Sequence, residues 1–165
     1  MGMYTCLFGK VTFKDDVAQK ANHLSTEFVI WQHLLNTRRL KKHPDVIAFL
    51  TDQRVFMVAN GASAYFSADE YPDQQHVLEG IPDDTESANH YQPNKRTLTF
   101  FCSLKNYTDS IEKFTRILPL IADDWDLYSQ YEEMQHEYAP DHHTPRDGLV
   151  RGGRNPDSPY SGYGF

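Results

Sequence analysis

The chain has 165 residues, of which 39% are hydrophobic and 13% aromatic, and its sixteen Lys and Arg against twenty-three Asp and Glu give a formal net charge of -7. This length suits one domain with a substantial core and excludes a disulfide-stapled miniprotein. The acidic balance argues against general duplex-DNA binding, which relies on clustered cations to release counterions.

Residues 4–13 are rich in β-branched and aromatic side chains and predict a strand, ended by Lys14, Asp15 and Asp16. From Val17, the residues Ala21, Leu24, Phe28, Trp31 and Leu35 follow at steps of three and four. They predict a long amphipathic helix capped by Asp15 or Asp16, with the stripe facing the core. Arg38, Arg39, Lys41, Lys42 and His43 form a basic cluster that reads as a solvated helix end. Pro44 opens a short helix with Val46, Ile47, Phe49 and Leu50 on its apolar side. Asn60-Gly61 between two apolar runs predicts a hairpin, since both central residues of a type I′ turn need positive φ.

Residues 67–94 hold Pro72, Pro82, Pro93 and seven acids with no periodic apolar face, and read as a long loop or a linker offering a contact surface. Residues 97–104 predict a strand. Thr108 or Asp109 opens a helix with Ile111, Phe114, Ile117, Leu118 and Ile121 on its apolar side, and Pro119 falls near its end. The segment from Trp125 to Tyr138 fits both periods, and 125–133 is read as a strand. From Ala139 the chain is rich in Gly and Pro and predicts no regular element. The expected class is α+β: a mixed or antiparallel sheet, a long amphipathic helix and a second βαβ-like unit. It forms one domain over residues 1–138, followed by a tail over 139–165 that packs on it or stays partly disordered.

No secretory leader and no membrane span is read from the sequence, so the expectation is a cytoplasmic protein with Cys6 and Cys102 as reduced core thiols. His136, Glu137, Asp141, His142 and His143 lack the spacing of a strong zinc pattern, and the pair His142-His143 reads as a solvated turn; no metal and no cofactor is expected. Glu132-Glu133 and Asp83-Asp84 read as solvated acids. There is no nucleophile elbow and no Gly-rich phosphate loop, so no catalytic residue is assigned.

The run Thr99-Phe100-Phe101-Cys102-Ser103-Leu104-Lys105-Asn106-Tyr107, then Ile111-Glu112-Lys113-Phe114 and Tyr131-Glu132-Glu133, resembles a βαβ unit of small bacterial immunity-type proteins of polymorphic toxin systems. The resemblance covers residues 97–133. It implies a protein that binds one cognate toxin and blocks its active site or substrate access, with no chemistry of its own.

Charge leads to the same class by a separate route. Residues 55–94 carry seven acids and no base, and residues 109–141 carry nine acids and two bases, so the negative charge sits in two blocks. Acidic inhibitors suit basic clefts because opposite potentials speed encounter. The expected partner is a protein with a basic surface, with no direct nucleic acid and no membrane. The candidate contact residues are Asp69, Glu70, Asp73, Asp83, Asp84, Glu86, Trp125, Asp126, Glu132 and Glu133. Two alternatives are a phage-encoded anti-defence inhibitor that mimics nucleic-acid charge, and a small enzyme with scattered site residues.

Overall fold

The computed structural model describes residues 4–21, 71–78, 90–104, 109–131 and 137–154. Within them lie six strands: β1 (Thr5–Phe13), β2 (His90–Gln92), β3 (Thr97–Leu104), β4 (Ala122–Tyr131), β5 (Asp141–Thr144) and β6 (Gly148–Val150). The helices are α1 (Asp15–Ala21), α2 (Gln75–Leu78) and α3 (Ser110–Ile121), with 3-10 turns at Pro72–Gln74 and Pro93–Lys95. The strands form one sheet in the order β2-β3-β1-β4-β5-β6, and every neighbouring pair is antiparallel.

β1 is central and pairs along nearly its whole length with β3 on one side and β4 on the other. Being antiparallel to the same strand, β3 and β4 run in the same direction. Parallel strands need a crossover, and α3 supplies it, so β3, α3 and β4 form a split βαβ unit around β1. The α+β class and the βαβ-like unit are therefore present. Of the long predicted helix, α1 is the only part described. The rest of its stripe, the Pro44 helix and the Asn60-Gly61 hairpin lie outside the described residues.

The sheet is covered on both faces. Phe100 on β3 meets Phe114 of α3 edge-on, with ring centroids 6.1 Å apart. Ile111, Phe114, Leu118 and Ile121 are all buried, at the three- and four-residue steps that put them on one side of α3. Pro119 lies in the last turn of α3 on its exposed side. There its missing N–H and its ring disturb a helix that stops two residues later, and Ala122 N closes the end by donating to Leu118 O. Asp109 occupies the N-cap position in a left-handed conformation (φ 54°) and makes no side-chain cap bond.

On the other face Phe8 and Phe101 pack with Tyr71, Val77 and Leu78, with Cys6 and Tyr128 at the margin. The Phe8 ring lies 4.6 Å from that of Tyr71 and 5.4 Å from that of Phe101. This corrects the reading of 67–94 as a long loop or linker: residues 71–78 form two short turns whose Tyr71, Val77 and Leu78 close one side of the core, and β2 lies near its end. Four residues of helix are too short to show a period, so the pattern is invisible in sequence.

The tail reading is also corrected. Residues 141–150 contribute β5 and β6 to the same sheet, and the hairpin continues to a Tyr138–Arg154 bridge with Ala139 N donating to Gly153 O at 2.9 Å. His142 and His143 accordingly lie on a strand and not in a solvated turn. On β1 and β3 the register sets Cys6 opposite Ser103 and Cys102 opposite Leu7, so the two cysteines are not a directly opposed pair. Among the described residues no helix is long and apolar enough to cross a membrane.

Candidate functional site

β4 carries the site because its period of two separates its side chains cleanly. Asp124, Asp126, Tyr128 and Gln130 share one face, while Trp125, Leu127 and Ser129 share the other. The register sets Tyr128 between Phe8 on β1 and His142 on β5. The Tyr128 and His142 rings stack at 4.3 Å, 9° from parallel, and Phe8 stacks on the other side of Tyr128 at 5.7 Å.

One carboxylate binds this group together. His142 Nε2 donates to Asp126 Oδ1 at 2.5 Å, and His76 Nε2, arriving from α2, lies 3.4 Å from Asp126 Oδ2. The His76 ring meets Tyr128 edge-on at 6.1 Å. Two imidazoles thus take the two oxygens of one acid, and the phenol sits against both. Burial, and then the negative charge of Asp126, push the Tyr128 hydroxyl above its ordinary pKa, since each disfavours the phenolate; it remains a donor into alkaline solution. The group opens to solvent through His76, whose side chain is 55% exposed, and through Asp126 and His142, each about one third exposed. Among the described residues no cluster of three or more His, Cys, Asp or Glu is placed to hold a metal ion, and here the imidazoles engage different carboxylate oxygens.

The opposite face of the same two strands is closed. Ser129 Oγ and His143 Nε2 share a hydrogen bond of 2.9 Å, and both residues are buried. Burial, the largest effect, lowers the His143 pKa against the raising charges of Asp141 and Glu112, with His142 and Arg151 adding to the lowering. A Ser–His pair at this distance has the contact used to activate a nucleophile. Here it reads as a satisfied core pair, because less than a tenth of either residue meets solvent.

A second charged group marks one end of the sheet. Arg96, left-handed at φ 55°, donates from Nη1 to Phe13 O at 2.8 Å and to Asp123 Oδ2 at 3.1 Å, and lies 3.2 Å from Asp15 Oδ1. The register shift between Thr12 and Phe13 leaves Asp123 without an opposite residue on β1, which is the bulge that turns it toward Arg96. Asp16 and Asp124 are exposed beside this group in sequence.

Three of the candidate contact residues are described. Asp73 is exposed on the 3-10 turn before α2, whose His76 reaches Asp126. Trp125 and Asp126, adjacent in sequence, belong to opposite faces of β4 and so do not form one patch. Asp69, Glu70, Asp83, Asp84, Glu86, Glu132 and Glu133 lie outside the described residues. His76 and Tyr128 are not among the sequence candidates, and His142 stands there only in the His-rich stretch that lacks a zinc spacing. The one sequence signal for them is the alternation of β4, which puts Asp126 and Tyr128 on a common face. No protein-family model, curated protein or solved structure matches the chain.

Proposed function

We propose that the chain is a protein-binding inhibitor of the immunity type, acting in the cytoplasm on a cognate toxin with a basic surface and carrying out no chemistry of its own. One observation carries the reading: the described segment 71–78 of the first acidic block lies against β4 of the second. The first block, 55–94, contains α2, and the second, 109–141, contains β4. They touch where His76 reaches Asp126 and Tyr128, 50 residues further along the chain. Asp73, the described acid of the first block, and Asp126 of the second thereby sit on neighbouring elements, with tyrosine and histidine rings beside Asp126. A negative surface with aromatic anchors suits a basic cleft, because its field speeds encounter and its rings supply contact area at small entropic cost. The likeness of residues 97–133 to immunity-type proteins supports the same class.

The test is co-expression with a toxin domain, for which this reading predicts a gene beside that of the chain. Rescue of growth supports the reading, and its absence overturns it. With that domain purified, reversing the charges of Asp83, Asp84 and Glu86 slows association by about tenfold at low salt and far less at high salt. An unchanged association rate at low salt removes the acidic surface from the mechanism.

A further inference from the structure

Within the segment 137–154, which carries β5 and β6, His143 is the only residue that is buried. Apolar side chains do not anchor this segment: Leu149 and Val150 are 43% and 49% exposed, and Tyr138 and Pro140 are half-buried. The register extends the row Phe100, Gly9 and Leu127 across the sheet to His143, on the face that α3 covers. A titratable ring thus fills on β5 the core position that Phe100 and Leu127 fill on β3 and β4. The attachment to β4 also includes three paired residues of backbone, the Tyr128–His142 stack, the surface bond of His142 to Asp126 and a bond from Gln130 Nε2 to Tyr138 O at 2.6 Å. Internally the segment is tied to itself. β5 pairs with β6, Ala139 N donates to Gly153 O, and the Asp141 carboxylate accepts from Arg151 Nη1 at 3.0 Å and from Gly152 N at 2.8 Å. A unit with so little buried apolar surface opens at less cost than the whole fold.

We infer that the β5–β6 hairpin is an acid-released flap: a proton on His143 detaches it from β4 while the β1–β3 pair and α3 stay folded. Burial favours the neutral ring and holds its pKa below the ordinary 6.5, whereas in the detached hairpin the ring meets water and takes the proton readily. Among the charged groups around it, Asp141 on its own strand and Glu112 on α3 favour the proton, while His142 and Arg151 oppose it, and burial outweighs the two acids. The docked hairpin therefore binds fewer protons than the detached one, and acid draws it off. His142 acts in the opposite sense, because a proton there strengthens its bond to Asp126, so the release belongs to His143. Detachment carries His142 away from Asp126 and Tyr128 and leaves His76 as the remaining imidazole on that carboxylate. The flap thus acts on the geometry of the group around Asp126, whatever that group binds.

Amide hydrogen exchange of the full chain, followed by NMR from about pH 7.5 to about pH 4.5, tests this through protection factors corrected for the pH dependence of free amides. Below about pH 6.5 the amides that bond β4 to β5 are expected to lose up to about tenfold in protection per pH unit, the signature of one proton, while those between β1 and β3 hold theirs. His143→Gln, which keeps a partner for Ser129 Oγ and takes no proton, is expected to remove that pH dependence. If this variant is loosened at every pH, the parent chain decides: the loss must follow the titration of the His143 ring, read from its carbon-bound proton resonances. Loss of both sets of amides together, no loss at all, or a loss that does not track His143 overturns the inference. A folded His143→Gln chain with the parent's pH profile also overturns it.

Discussion

His142 and His143 are neighbours on β5, yet their imidazoles stand on opposite faces of the sheet in opposite surroundings. His142 donates to the Asp126 carboxylate at the surface, whereas His143 is buried against Ser129. A ring removed from water favours its neutral form, and this is the main reason the His143 pKa falls below its ordinary 6.5.

The pH dependence has a definite sign. A folded-state pKa below the unfolded one means that the unfolded chain binds more protons in the window between them. The contribution of His143 is therefore complete above about pH 6.5 and is lost as the pH falls through the lower folded value. The melting temperature should drop between about pH 7 and pH 5, with His143 accounting for no more than ~1.4 kcal/mol per pH unit. His143→Gln should flatten that part of the profile. A variant with the parent's slope would assign the acid sensitivity to other groups.

Gly9 lies at the middle of the central strand with φ +136°, where a Cβ would come 2.1 Å from the carbonyl oxygen of Asp126. That oxygen belongs to β4 backbone and cannot swing aside as a side chain can. Gly9→Ala is expected to destabilise the fold by about 3 kcal/mol, combining a disfavoured conformation with overpacking. Urea unfolding should show a lower midpoint at an unchanged slope.

Arg96 ties the end of β1, the start of α1 and the bulge of β4 through one guanidinium. Its bonds to Asp15 and Asp123 are at the surface and contribute little. The bond to Phe13 O is the more valuable, being charge-assisted and part-buried. Arg96→Ala should cost about 1–2 kcal/mol, and Arg96→Lys less, because all three contacts are made by the one nitrogen Nη1, whose place an ammonium with three donors can take. Asp15→Ala should cost less than about 0.5 kcal/mol, and chemical denaturation of the three variants would rank them.

The elements legible in the sequence are those that bury apolar side chains at a regular period. β1, β3 and α3 follow directly from that pattern. The ambiguous segment from Trp125 reads as a strand, and the structure begins β4 three residues earlier, at Ala122. β5 escaped because its inward residue is His143, satisfied by a hydrogen bond to Ser129 where a hydrophobic residue would have signalled a strand. The segment 71–78 escaped because Tyr71, Val77 and Leu78 are too few and too close to repeat. The candidate site was half legible for the same reason. Asp126 is visible as one acid of a block, but nothing along the chain links it to His76 and His142, which are brought to it by a sheet register and by α2 packing on Phe8 and Phe101.

The position of β1 between β3 and β4 governs when this fold can form. Thr12 and Thr97 are hydrogen-bonded neighbours separated by 85 positions, and the β4 side of the strand closes later still. During synthesis the central strand leaves the ribosome long before either flanking strand exists, with Leu7, Phe8 and Val11 lacking the strands that later pair with them. Such long-range pairing makes folding slow and leaves the nascent chain dependent on protection from aggregation until Tyr131 has emerged. A ribosome stalled before β3 would therefore hold β1 without either of its partner strands.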